Sequence, residues 1–524
     1  MAKSTATGVQ PPAEQRGELR FEALYHPELL HPVNPTGDVG ILTLWSPYRT
    51  AQRKLDAISP AILDDERSRV AIVANLYGDG LFAMLCNLLY NPQVRHLVAI
   101  GEGLGLPTAD EIAAFIEHGL EDDVLLGTPV ARVRGTGRVL PLVADFDADA
   151  LRERLSFRCL GRLSSPRLGE ELTALLRDLP RRPPDGQGAE RRVRVDVPTA
   201  VPDDYAYLPS DLGAHQVVRR RPLDCWEELV VRVVRFGRPI ELASGQRLEL
   251  LNAKAVITDP ADDPPAALAA FGFDGERLRA YQEQILRPEL PDGISYTYGN
   301  RLRGYFDQVT SATDTLQTAI EALRADRRTR GAYVSLWDTA ADLPRREQPA
   351  TPCLTTLFFR VSGDRLTLTA TYRAHNLLTA WLENVYGLMA IQRHVADACG
   401  IAAGAITVIS HCLGIDPRSP RYDLARTIAA SWTRDDDVDR ETGKSTLRED
   451  PNGYFVVTVD HDRGAIVAEH RFGGVLVKRY EADRAASIEQ AVGADMAVTL
   501  VSHALWLGRE LTRHEQLLRG RTTP

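Results

Sequence analysis

The sequence predicts a multidomain protein: a parallel α/β domain at the N-terminus, an α+β domain in the centre, and a small C-terminal unit of a β-hairpin plus helices. Three observations predict it. The chain runs to 524 residues, which at roughly 150 residues per domain is about three domains. Two stretches break the composition. Residues 178–192, DLPRRPPDGQGAERR, crowd Pro, Gly and Arg with almost no apolar content, and residues 431–453, SWTRDDDVDRETGKSTLREDPNG, are too charged for a packed core. Between the breaks the hydrophobic pattern changes from strand–helix alternation to longer alternating strands beside long helices. The predicted domains are therefore 1–180, 190–430 and 445–520.

In the first domain RVAIVANLYG (69–78) and VRHLVAIGEG (94–103) are short apolar runs ending in glycine, the pattern of buried parallel strands. GLFAMLCNLLYNP between them has helical apolar spacing and stops at Asn91-Pro92; TADEIAAFIEHGL (108–120) predicts a second helix capped by Thr108 or Asp110. The second domain has strands GAYVSLWD (331–338), LTTLFFRV (354–361) and DRLTLTATYRA (364–374), with helices over 313–326 and 377–399. The third begins with GYFVVTVDHDRGAIVAEHRF, two alternating strands around a DRG turn, followed by helices in EADRAASIEQAV and TLVSHALWLGRELTRHEQLL.

Sixty-two Lys+Arg against 71 Asp+Glu leave a net charge of −9, which gives no global attraction to a phosphate backbone or an anionic lipid surface. Nucleic acid and membrane are not expected partners. The six cysteines (86, 159, 225, 353, 399, 412) form no CxxC pair and no zinc spacing, so reduced thiols and no metal are expected. The opening MAKSTATGVQPPAEQRGE has no apolar signal region, and no apolar run is long enough to cross a bilayer; the expected location is cytoplasmic.

The residues that carry chemistry begin at Thr351-Pro352-Cys353-Leu354, between a charged loop and a predicted strand. A thiol directly after proline at the mouth of a strand is held in a defined direction, and a nearby arginine is expected to lower its pKa toward a usable thiolate. Cys353 is the candidate nucleophile, the other reading being an inert packed cysteine.

Around it runs an ordered series: Tyr298-Gly299-Asn300-Arg301-Leu302-Arg303, Asp307-Gln308, Thr329-Arg330, Trp337-Asp338, Pro352-Cys353, Arg373-Ala374-His375-Asn376 and Glu383-Asn384. This series, with its intervals, resembles the thymidylate synthase family, especially its archaeal-type branch, over roughly residues 215–420. The resemblance implies that Cys353 adds to C6 of a pyrimidine and makes C5 able to attack a one-carbon electrophile. It implies that Arg373 holds the nucleotide phosphate and favours the thiolate, which suits a guanidinium, and that Arg330 reaches the phosphate of a neighbouring protomer in a homodimer. Here Gly331 follows where the family usually has a second arginine. Asn384 matches an asparagine that donates to O4 and accepts from N3–H of uracil, whereas a carboxylate there would suit cytosine. Tyr298 matches an active-site tyrosine of the proton-transfer network. Glu283 is the candidate for the family's proton-relaying glutamate. Gly414 and Asp416 stand in the positions of a sugar-binding His-x-Tyr pair, and Asn376 where aspartate is usual.

What the resemblance implies is C5 methylation of a uracil nucleotide such as dUMP, with 5,10-methylenetetrahydrofolate or a related tetrahydropterin as donor. Capture of water in place of hydride would make the protein a nucleotide hydroxymethylase. The altered sugar motif leaves a non-catalytic pterin- or nucleotide-binding scaffold as the reading from another class. Residues 67–128 resemble the corrinoid-binding component of the tetrahydromethanopterin S-methyltransferase complex. The loop Gly101-Glu102-Gly103-Leu104-Gly105-Leu106 lacks that family's corrinoid-binding histidine, so the resemblance implies a kept fold without corrinoid. Residues 449–517 resemble an uncharacterised domain that accompanies such components, through Asn452-Gly453-Tyr454-Phe455 and the stretch His503 to Leu511. Helical spacing puts Leu507 and Leu511 on one face, and His503 reads as structural.

Overall fold

The structure is a computed structural model that describes residues 19–76, 80–101, 107–181, 192–196, 206–243, 245–292, 294–305, 314–345, 351–432, 436–438, 442 and 444–520. It divides into two compact units, 1–206 and 207–524.

The first unit carries β1 (Leu30–Pro32), β2 (Val39–Leu42), β3 (Val70–Ala74), β4 (His96–Ala99), β5 (Leu120–Leu125), β6 (Thr128–Val133), β7 (Val139–Pro141) and β8 (Ser156–Cys159). Its main sheet has the order β1-β3-β2-β4-β8, with β2, β3, β4 and β8 parallel and β1 antiparallel. The two predicted strands are β3 and β4, but they are not neighbours. The four-residue β2, buried throughout, lies between them and is too short for its period to show. The predicted helices are Gly80–Tyr90 and Thr108–His118. The second is capped by Pro107 rather than Thr108 or Asp110. Thr108 is already helical, and Asp110 sits in the first turn, where a carboxylate meets the positive end of the helix. A second sheet, β5-β6-β7, escaped the sequence reading because LEDDVL is too charged to alternate. Of the loop 101–106 only Gly101 is among the described residues, and of the break at 178–192 residues 182–191 lie outside them. At its far end Arg192 donates to the Tyr90 carbonyl (3.0 Å) and Val195 is fully buried.

The second unit is built on β9 (Gln216–Arg219), β10 (Arg238–Leu242), β11 (Gly245–Ile257), β12 (Tyr333–Ser335), β13 (Leu354–Ser362), β14 (Arg365–Asn376) and β15 (Ala402–Ile415). They form a seven-stranded mixed sheet in the order β10-β11-β15-β14-β13-β12, with β9 parallel to β11. β13 and β14 are a hairpin. β14 and β15 are parallel, joined by the helix Trp381–Cys399. That helix and Pro222–Phe236 cover one face, where Trp226, Trp381, Tyr372 and Tyr386 are fully buried; each such ring contributes about 1.5–3 kcal/mol of apolar burial. The predicted helix at 313–326 begins after Asp314, whose carboxylate accepts from the Leu316 (3.1 Å) and Gln317 (2.9 Å) amides.

The pairing of β11 with β15 is interrupted once, without a shift of register, near the site end of this sheet. Leu251 pairs with Cys412 and Ala253 with Ser410, so Asn252 and His411 are skipped together. Asn252 takes φ 51°, and its side-chain oxygen meets His411 Nδ1 at 2.9 Å.

The charged segment 431–453 is not wholly an open connection. It holds a two-stranded antiparallel ladder, β16 (Asp436–Val438) with β17 (Ser445–Leu447). The predicted C-terminal hairpin is β18 (Tyr454–Asp460) with β19 (Ala465–Phe472), and a third strand, β20 (Val475–Ala482), follows the Gly473-Gly474 turn. Helices Ala485–Ala494 and Val501–Leu518 close its core, with Leu507 and Leu511 both buried. Asp450, with its carboxylate out of solvent, accepts from the Thr499 amide (2.8 Å), the Thr499 hydroxyl (2.8 Å), the Leu500 amide (2.9 Å) and the Asn452 amide (2.9 Å), beside His503. Among the described residues no helix is long and apolar enough to cross a membrane.

Candidate active site

Cys353 lies half-buried just before β13, and its carbonyl accepts the Arg373 amide of β14 at 2.9 Å. The two side chains therefore start from adjoining strands. Arg373 is braced: Nε donates to the Pro352 carbonyl (3.2 Å) and Nη2 to the Thr351 carbonyl (3.2 Å), while Trp337 Nε1 also donates to Pro352 (3.0 Å). Burial pushes the Cys353 thiol up, and the Arg373 guanidinium pulls it down by less, so the resting sulfur is a thiol. This corrects the expectation of an arginine-lowered thiolate: desolvation wins.

Tyrosines wall the cysteine. The Tyr296 hydroxyl accepts from the Cys353 amide. Tyr298 opens the helix Tyr298–Arg303, whose N-cap Thr297 accepts the Asn300 amide (3.0 Å). Gly299 explains the Tyr-Gly pair, because a Cβ there would stand 2.2 Å from the Arg287 carbonyl. The Tyr298 ring lies edge-on to Tyr372 at 6.4 Å, and burial holds its hydroxyl protonated, well above the ordinary range. The Tyr372 hydroxyl is buried with no hydrogen-bond partner among the described residues.

Asn384, in the first turn of Trp381–Cys399, is buried. Its Nδ2 donates to His375 Nε2 (2.9 Å) and its Oδ1 accepts from the Tyr281 hydroxyl (3.3 Å). Gly387 allows this approach, since a Cβ would lie 2.8 Å from the Tyr281 ring. His375 stacks on Tyr372 at 4.0 Å and meets Ser410 Oγ at 3.0 Å; burial pushes it down to about 3. On the neighbouring strands, Cys412 is hydrogen-bonded to Glu249 and feels the Arg373 charge.

Cys353, Arg373, Tyr298 and Asn384 are thus held by one set of contacts, and other predicted residues are not. Glu283 is exposed and pairs with Arg287 at 3.9 Å; two residues round its helix, Tyr281 takes the inward side. The relay assigned to Glu283 has no geometry here. Arg330 is exposed before β12, at the far end of the β12–β13 pair from Cys353. Asn376 is exposed and caps the turn after β14, accepting from the Leu378 (3.1 Å) and Thr379 (3.3 Å) amides. Asp416 is taken up by Arg418 (3.1 Å) and Arg247 (2.7 Å), which hold it at about 2; Gly414 faces Glu249 across the ladder. The sequence reading missed Tyr281, Tyr296, His375, Ser410 and Glu249 as site residues. Among the described residues no cluster of three His, Cys, Asp or Glu is arranged to hold a metal.

The family model of thymidylate synthase matches residues 275–415, spanning all four of the assembled residues. A protein of Methanothermobacter marburgensis titled "Putative thymidylate synthase" is 32% identical over 199 residues, 35% of this chain and 85% of that protein. One of the same title from Methanopyrus kandleri is 33% identical over 200 residues, 37% of this chain and 90% of that protein. The chain belongs to the thymidylate synthase family. Membership places it with transferases. The thymidylate synthase match begins after β11, so Glu249 lies outside it. A second model, PterinBD-DUF4346, matches residues 449–523, the unit of β18 to β20 and its two helices. With the thymidylate synthase match it points to a folate or pterin cofactor.

Proposed function

We propose that the protein transfers a one-carbon unit to C5 of a uracil nucleotide such as dUMP, with 5,10-methylenetetrahydrofolate or a related tetrahydropterin as donor. The observation that carries this reading is the Cys353 thiol beside a braced Arg373 on adjoining strands, under a wall of tyrosines. Cys353 gives up its proton, its sulfur forms a bond to C6, and the C5–C6 electron pair moves onto C5 and O4. C5 bonds to the donor's one-carbon unit and then loses its proton, and the bond from that carbon to the donor nitrogen breaks to leave an exocyclic methylene on C5. Addition of hydride or water to that methylene lets Cys353 depart from C6 and restore the ring double bond. Arg373 neutralises the phosphate and offsets the cost of the thiolate. Tyr298, kept protonated, has one O–H to donate at the ring edge.

The residues fit a flat polar heterocycle: Tyr296 and Tyr298 supply aromatic surface, and behind them the fully buried Tyr372 has a hydroxyl with no partner among the described residues. The donor supplies carbon at the formaldehyde level and, for a methyl product, a hydride. Arg330 sits at the wrong end of its strand pair to serve Cys353 of its own chain, which supports a homodimer in which each copy lends it to the other.

The test is tritium release from C5-labelled dUMP, UMP, dCMP and CMP in the presence of the donor. Release from a uracil nucleotide is expected, with a loss of about a thousandfold in Cys353→Ser; release unchanged by that substitution removes Cys353 from the mechanism. Oxidation of the donor to its dihydro form, read by absorbance, distinguishes methyl from hydroxymethyl product.

A further inference from the structure

We infer that His375 sets which way round Asn384 presents its carboxamide, and thereby makes the site read uracil rather than cytosine. The inference rests on the uracil-nucleotide reading above and adds a residue to it.

A carboxamide has four hydrogen-bonding positions in its plane, two lone pairs on oxygen and two N–H bonds on nitrogen. In Asn384 one N–H goes to His375 Nε2 (2.9 Å) and one lone pair to the Tyr281 hydroxyl (3.3 Å). One N–H and one lone pair remain. Side by side, they match a ring edge that offers an acceptor and a donor. Uracil offers O4 as acceptor and N3–H as donor; cytosine reverses both, with N3 as acceptor and the 4-amino group as donor. Rotating the carboxamide by half a turn would therefore exchange the preferred base with no change of residue.

His375 opposes that rotation. It is fully buried, stacked on Tyr372 (4.0 Å) and tied at Nδ1 to Ser410 Oγ (3.0 Å). Burial keeps it neutral, so it carries one ring proton. Since Nε2 faces the Asn384 amino group, it must be the acceptor and Nδ1 must hold the proton, donated to Ser410. The other setting needs the proton on Nε2, the Asn384 oxygen turned to it and the amino group turned to Tyr281. Histidine tautomer and base choice are thus one linked variable. His375 touches no reacting atom and is a positioning residue.

The test is the ratio of the dissociation constant for dCMP to that for dUMP in His375→Phe, which keeps a ring against Tyr372 but offers Asn384 no lone pair. The ratio should fall by about tenfold or more toward unity, through weaker dUMP binding. A structural role alone would weaken both nucleotides alike, and a ratio within about threefold of wild type overturns the inference. Nitrogen NMR of histidine-labelled wild type gives a second reading that needs no variant: Nδ1 protonation of His375 is expected, and Nε2 protonation overturns the inference. Wild type that binds neither nucleotide sinks the reading of the site itself, whereas wild type that binds dUMP with an unchanged ratio in the variant sinks only the role of His375.

Discussion

At the scale of single residues, the site is a contest between burial and charge, and Cys353 shows which wins. The thiol lies above its ordinary pKa because desolvation exceeds the help from Arg373. Its alkylation rate should therefore rise with pH, with a midpoint above that of a free thiol, and Arg373→Ala should move the midpoint higher still. A midpoint that stays put or falls in the variant would show that Arg373 does not touch the sulfur's charge. Cys353, Arg373 and Asn384 were legible in the sequence because their spacing along one strand pair and one helix is rigid. Glu283 was misread because its motif gives no helical phase: Tyr281, two positions earlier, took the inward face. His375 was passed over because a histidine on an apolar strand looks like any core residue; only its contacts with Asn384 and Ser410 set it apart.

At the scale of elements, two devices do most of the positioning, and neither announces itself in composition. Asn252, in the left-handed region and bonded to His411 across the ladder, interrupts the pairing of β11 with β15 without shifting it, and β11 was not predicted. Gly299 lets the helix of Tyr298 start against the Arg287 carbonyl. Gly299→Ala should cost about 1–3 kcal/mol of stability by overpacking and should lower turnover with the Tyr298 ring displaced; an unchanged melting temperature would contradict the close approach. In the C-terminal element Asp450 is the tie. Burial would raise its pKa, but the Leu500, Asn452 and Thr499 hydrogen bonds outweigh that and hold it at about 2. A lowered carboxyl stabilises the fold above its ordinary pKa of 3.8, and that contribution is lost as pH falls from there through about 2. Asp450→Asn should remove about 2 kcal/mol at neutral pH and flatten the acid limb of stability between those values. An acid limb identical to wild type would mean the carboxylate carries no such load.

At the scale of the whole molecule, the coarse plan was readable and the details of its edges were not. The α/β start, the α+β centre and the C-terminal hairpin follow from period and length, whereas β2, β9, β16 and β17 are three- or four-residue strands, too short for any period. β20 was lost because its outward residues are as apolar as its inward ones, with Val475, Leu476 and Val477 all exposed. The exposed Arg330 gives the proposed homodimer a direct check. Mixing Cys353→Ser with Arg330→Ala chains should restore activity, because one of the two sites in a mixed dimer then has both an intact Cys353 and a partner's Arg330. Mixtures no more active than the two variants alone would place Arg330 outside the neighbouring site. The central chemical claim is bond formation between Cys353 and C6 of a uracil nucleotide. The most direct measurement is the intact mass of the protein after incubation with the donor and 5-fluoro-dUMP, whose fluorine cannot leave as a proton does and so arrests the adduct. A mass increase of one nucleotide plus donor per chain, mapped to Cys353 and absent in Cys353→Ser, is predicted; an unmodified chain that still binds the nucleotide would contradict it.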